Sequence, residues 1–180
     1  AEGQFNLGLS YLAGKGVPRD PAAAAEWFRK AAVQGLAPAQ MSLGVAYAKG
    51  EGISQDFAKA GKWTRLSAEQ GYAPAEFNLG VSYMRGEGIP KDTQAGIKWC
   101  RKAADQSYAL AMFNLGHFHA EGIGTSRDDV AAYMWFELAT KSMNSEFVPA
   151  ASARDQLATR MNADQIKRAR RLARNWREAR

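Results

Sequence analysis

Few residues in this 180-residue chain have types and spacing that could do chemistry. Both histidines fall in His117-Phe118-His119-Ala120-Glu121. A protein-held zinc ion needs at least three converging ligands. On a helix His117 and Glu121 share a face while His119 points about 160° away, so the cluster reads as no metal site. Cys100, the single cysteine, cannot form an intrachain disulfide and reads as a small buried apolar residue. The pairs Gly14-x-Gly16, Gly50-x-Gly52 and Gly86-x-Gly88 resemble phosphate loops only superficially. No strand precedes them and no Gly-Lys-Ser/Thr follows, so they read as helix stops. Trp27, Trp63, Trp99 and Trp135 would suit a stacking platform for bases or sugars, but their helical phase matches the core-facing alanines, which makes them core. No Ser/His/Asp or Cys/His set stands out. The sequence therefore offers no catalytic residue, no metal site and no cofactor.

Charge singles out one further stretch. The chain is +6 overall, yet its last twenty residues hold seven cations against Asp164 and Glu178, a net +5. The basic balance thus belongs to one segment, in which Arg170, Arg171 and Arg174 form a candidate patch for an acidic protein surface. With one aromatic and no recognised motif, this segment does not read as a nucleic-acid binder. A solvated face is the plain alternative.

The elements that position these residues follow from a repeat. The stretch Phe77-Asn78-Leu79-Gly80-Val81-Ser82-Tyr83-Met84-Arg85-Gly86-Glu87-Gly88 recurs at a step of 36 residues as Met41 to Gly52, as Phe5 to Gly16 and as Phe113 to Gly124. The tryptophans keep the same step. A fixed period in this range marks a solenoid. Apolar residues at i, i+3, i+4 and i+7 on either side of each glycine pair predict two helices per unit. First helices are expected at 2–13, 38–49, 74–85 and 110–121, and second helices at 21–34, 57–70, 93–106 and 129–141. Gly14, Gly50, Gly86 and Gly122 suit left-handed helix ends. Asp20, Asp56, Asp92 and Asp128 suit N-caps, and Pro21 suits a first helical position. Gly8, Gly44, Gly80 and Gly116 lie inside helices, where close helix–helix contact is the expected reason for them.

The pattern L-G-x-x-Y-x-x-G-x-G-[VI]-x-x-D, followed by W-[FY]-x-x-A-A, resembles the Sel1-like repeat, a relative of the tetratricopeptide repeat. The resemblance covers residues 1–141, as four repeats at 1–36, 37–72, 73–108 and 109–141. It implies an all-α, right-handed α/α superhelix that assembles or recruits other proteins without catalysis, in bacterial signalling or envelope systems, with a lean to the periplasm or export. Departures are local: Thr64 and Cys100 stand for Phe28 and Phe136, His119 for the tyrosine, Ser107 for Gly35 and Gly71. The cysteine-rich branch of the family, with a disulfide in each repeat, does not fit a chain with one cysteine.

Residues 142–180 read as a degenerate capping pair, with a polar break at Met143-Asn144-Ser145-Glu146, a helix from Ala150 to Met161 and a last helix capped by Asn162 or Asp164. A repeat array needs such a cap because its outer face must be polar. There is no run long and apolar enough to span a membrane and no leader. The start at Ala1, already inside a first helix, is expected of an excised fragment or processed product.

A second apolar line runs along the first helices, turned about 160° from the face towards the partner helix. It comprises Phe5, Leu9 and Leu12, then Met41, Val45 and Ala48, then Phe77, Val81 and Met84, then Phe113, His117 and Ala120. Asn78 and Asn114 lie beside it, and Arg85 ends its helix. In tetratricopeptide-like folds the first helices line the concave surface, so the resemblance implies a groove for a peptide or protein partner. Packing between successive first helices would give the same pattern. A hydrolase acting on cell-wall material is a further alternative, opposed by the lack of a converging acid, base or nucleophile.

Overall fold

Each repeat closes on the same small set of backbone and cap interactions. In the first, the Asp20 carboxylate accepts from the amides of Ala22 and Ala23 at 3.0 Å and so starts helix α2. Asp56, Asp92 and Asp128 do the same at the corresponding positions, at 2.9 Å. The amide of each aspartate donates to a carbonyl in the last turn of the preceding first helix: Tyr11, Tyr47, Tyr83 and His119. Loop closure thus uses main chain, which explains why His119 substitutes for tyrosine without altering the turn. Gly50, at φ 69°, holds the left-handed conformation that ends its helix, as do its three counterparts.

The computed structural model describes residues 1–142 and 147–179; the polar break at 143–146 and Arg180 lie outside the described residues. Among the described residues there are ten helices and no strand. They are α1 (Glu2–Ala13), α2 (Pro21–Ala32), α3 (Ala37–Lys49), α4 (Phe57–Glu69), α5 (Ala73–Arg85), α6 (Thr93–Asp105), α7 (Ala109–Glu121), α8 (Asp129–Lys141), α9 (Val148–Ala158) and α10 (Ala163–Glu178). First helices begin one residue before the sequence placed them in three repeats, at Ala37, Ala73 and Ala109, which precede Pro38, Pro74 and Leu110 in a permissive first turn. No helix among the described residues is long and apolar enough to cross a membrane.

The chain divides into two compact units, Ala1–Gly96 and Ile97–Arg180. In the first, Ala24, Phe28, Ala31, Ala39, Leu43 and Tyr47 form the core. The helix-internal glycines let helices meet: a Cβ on Gly8 would fall 2.7 Å from the Phe28 ring, and one on Gly44 2.6 Å from the Thr64 hydroxyl. Successive repeats are joined by backbone. A Cβ on Gly52 would collide with the Pro21 carbonyl, and one on Gly88 with the Phe57 carbonyl. Gly52 and Gly88 are therefore each seated directly on the start of the preceding second helix. Ser67 adds a hydroxyl bond to the Ala37 carbonyl at 2.7 Å.

In the second unit, Tyr133, Phe136, Leu157 and Ala169 centre the core. Helix α10 opens on a capping box: Asn162 accepts from the Gln165 amide, and the Gln165 side chain accepts from the Asn162 amide, both at 2.9 Å. It lays Ala169 and Ala173, both fully buried, against its neighbours, and Trp176 meets Trp135 at 5.8 Å between ring centroids. Helix α9 buries Ala150, Ala151 and Leu157, and charge pairs hold it and the turn that follows. Arg154 donates to Glu137 at 3.0 Å, and Arg160 reaches Asp129 with two nitrogens at 3.0 Å each.

The tryptophans depart from the sequence expectation. Only Trp135 is buried; Trp27, Trp63 and Trp99 are half-buried. Lys30 lies 4.1 Å over the Trp27 ring and Lys102 4.2 Å over Trp99. A lysine three residues on thus sets its ammonium over the indole face in a cation–π contact.

Candidate functional site

The line of apolar residues on the first helices divides into three environments. In the unit Ala1–Gly96, Val45, Asn78, Val81 and Arg85 converge on a cavity of about 280 Å³ between α3, α4 and α5, with Lys49 and the exposed Phe57 at its rim. Met41 and Val45 wall a second cavity, about 190 Å³, with Leu12, Ala24 and Phe28. Helix periodicity accounts for the convergence: Asn78, Val81 and Arg85 are three and four residues apart and so share one face of α5.

Other members of the line serve packing. The Phe5 ring lies 5.7 Å from Phe28, and the Met84 sulfur lies against Gly96. Leu9 is 40% exposed, while Phe77 is half-buried and lines neither cavity.

In the unit Ile97–Arg180, Phe113 sits among three rings: His117 at 4.6 Å, Phe147 at 5.4 Å and Phe136 at 5.7 Å. His117 also meets Phe136 at 5.1 Å and lines a cavity with Gln156 and Arg160. Asn114 is half-buried beside them.

The titratable groups here are suited to structure. Burial lowers the pKa of His117 against the opposing pull of Glu121. Burial, then the Arg101 charge, lowers that of His119, with Asp128 opposing, so both rings are neutral near pH 7. The His119 Nδ1 is buried and meets no hydrogen-bond partner among the described residues. Burial pushes the Cys100 thiol up to about 12, which leaves no thiolate for nucleophilic work. No group of three or more His, Cys, Asp or Glu among the described residues is placed to hold a metal ion.

On α10, Arg170, Arg171 and Arg174 are exposed and make no ion pair among the described residues. They contrast with Arg154 and Arg160 nearby in sequence, which are both paired.

Sequence reasoning did not place Lys49 or Phe57 in the site, while Leu12 lay on the apolar line read from the repeat. Phe57 had a readable signal. It is an aromatic at the first helical position behind the Asp56 cap, where the first repeat has Pro21, and so has no core face to occupy.

Helix pairs repeating at a constant step, each closed by the same aspartate and glycine interactions, define an α-helical solenoid-type repeat protein. The model of the Sel1 repeat matches residues 1–36, 37–72, 73–108 and 109–142, and the chain belongs to that family. Among solved structures it is similar to a Sel1 repeat protein from Oxalobacter formigenes, with 29% identity and a TM-score of 0.71 over 92% of this chain and 76% of that one. It is also similar to c5321, described as a protective antigen present in uropathogenic Escherichia coli strains displaying an SLR fold, with 29% identity and a TM-score of 0.64 over 97% of this chain and 45% of that one. Comparison with curated proteins returned no match. Sel1-repeat proteins are in general non-enzymatic scaffolds for protein–protein interaction.

Proposed function

We propose that this chain is a binding module that receives a peptide or protein segment on the first-helix face of the unit Ala1–Gly96. The observation that carries the reading is the convergence of Val45, Asn78, Val81 and Arg85 on one cavity, whose lining joins apolar side chains to an amide and two cations. That combination suits a ligand whose side chain is desolvated while its backbone or charge is held by Asn78 and Arg85. A bacterial signalling or envelope-associated assembly is the setting we favour, supported by the bacterial origin of both relatives. The test is Val81→Glu, which puts a charge into the cavity at a half-buried position. Partner affinity falls about tenfold or more, the scale of a central interface residue, while stability stays within about 1 kcal/mol, as at a position outside the core. Unchanged affinity with an intact fold defeats the reading.

A further inference from the structure

The two cavities of the unit Ala1–Gly96 are the same feature one repeat apart. Phe28, Ser42, Val45 and Glu51 of the first correspond, at a step of 36, to Thr64, Asn78, Val81 and Glu87 of the second. Val45 belongs to both and is their common wall. Each forms where a first helix, its partner and the next first helix leave space between them. The geometry is shared, so the difference between the cavities lies in their chemistry.

The first is lined by Leu12, Ala24, Phe28, Met41 and Val45, and its one carboxylate, Glu51, is engaged by Arg19 at 2.7 Å. A dry cavity of roughly 150 Å³ admits a benzene-sized group, so about 190 Å³ admits a leucine or phenylalanine side chain. In the second, Thr64 replaces Phe28 and the volume rises to about 280 Å³. Asn78 adds an amide where the first has Ser42, and two cations, Lys49 and Arg85, reach the rim. Only Glu87 opposes them, and it meets Arg85 loosely at 3.7 Å, while Lys49 has no ion pair among the described residues. The second cavity therefore carries net positive charge beside hydrogen-bond donors.

Resting on the peptide-binding reading of this face, we infer that the partner is an extended segment with an apolar side chain and a carboxylate, Asp or Glu, two or three residues apart. The apolar side chain fills the first cavity, and the carboxylate enters the second against Lys49, Arg85 and the Asn78 amide. The spacing follows from the common wall. Neighbouring cavities lie about one helix spacing apart, roughly 8–10 Å. Same-side residues of an extended chain are about 7 Å apart at i and i+2 in a strand, or about 9 Å at i and i+3 in polyproline II.

Selection of displayed short random peptides on the protein, and in parallel on a Lys49→Glu/Arg85→Glu variant, tests this. Both residues are exposed, and a circular-dichroism melt verifies that the variant is folded. The expected wild-type pool pairs Leu, Ile, Met or Phe with Asp or Glu at that spacing. The leading peptide loses about tenfold affinity on the variant, the scale of one charge-assisted hydrogen bond, and the variant's own pool carries Lys or Arg at the acidic position. A pool with no acidic preference, or one indifferent to the double reversal while Val81→Glu or Asn78→Ala still weakens binding, overturns this inference and leaves the binding face standing. Peptides insensitive to Val81→Glu and Asn78→Ala, or no enrichment at all, overturn the binding face and this inference together.

Discussion

Ser107 holds a left-handed backbone, φ 63°, at the turn where the first two repeats place Gly35 at 87° and Gly71 at 79°. An L-residue there costs roughly 1–2 kcal/mol. Ser107→Gly is accordingly expected to stabilise the protein by about 1 kcal/mol, less the added freedom of glycine in the unfolded chain. For a chain of this size that raises the melting temperature by about 2–4 °C, read by calorimetry; an unchanged or lower value refutes the strain argument. This residue was legible in sequence as a break in the glycine register, because the glycines beside it demanded a positive φ. The tryptophans were less legible. Their phase pointed to the core, but the depth of burial depends on how far each second helix stands from its neighbours, which no single helix encodes. Trp135 is buried, with Trp176 of α10 and Arg101 brought onto it, whereas Trp27 and Trp99 are each met by a lysine ammonium.

Among the elements, the loop after each first helix does two separate jobs that substitution can distinguish. Gly16 and Gly88 both have positive φ, 75° and 74°, and Gly88 in addition seats on the Phe57 carbonyl where Gly16 meets nothing within 4 Å. Gly16→Ala should cost about 1–2 kcal/mol through conformation alone. Gly88→Ala should cost several times as much, because an added methyl must displace the start of α4. Equal losses in urea unfolding would show that the contact contributes nothing to joining repeats. Helix boundaries in these repeats were readable within one or two residues, since aspartate caps and glycine stops are local signals. Chain partners were not. Glu137 and Arg154 lie 17 positions apart on α8 and α9, outside any repeat register, so nothing in the pattern tied them together. The candidate site was legible to the same degree. Val45, Asn78, Val81 and Arg85 were readable as one helical line, but which members of that line open onto a cavity depends on whether the facing residue is Phe28 or Thr64.

For the molecule as a whole, most of the net charge lies on the last helix, and acid acts on the helix beside it. Burial alone would raise the Glu137 carboxyl, but its hydrogen bond and charge pairing with Lys141, then with Arg154, hold it below the ordinary 4.5. Asp129 is likewise opposed by burial and held below 3.8 by Arg160 and Arg127. A carboxylate with a lowered folded pKa contributes stability that is fully present above its unfolded value and is lost as pH falls through the folded one. Unfolding free energy should therefore be steady from pH 7 to about 5 and decline below about 4.5. Glu137→Gln should cost about 1–3 kcal/mol at pH 7, the scale of hydrogen bonds to a charged group, and the gap to the native chain should narrow as the pH falls below about 4.5. A gap that stays constant through acid would mean that the pair does not contribute through its charge.

The seating of Gly52 on Pro21 and of Gly88 on Phe57 also bears on heredity. The junction is main chain meeting main chain, so it asks nothing of neighbouring side chains except that a glycine arrive at the right step. An in-frame duplication of one whole repeat reproduces every junction it creates, whereas an insertion one codon longer or shorter misplaces all that follow. Array length in such a lineage can change by whole copies in a single genetic event, and each new copy brings a fresh cavity whose lining is free to diverge.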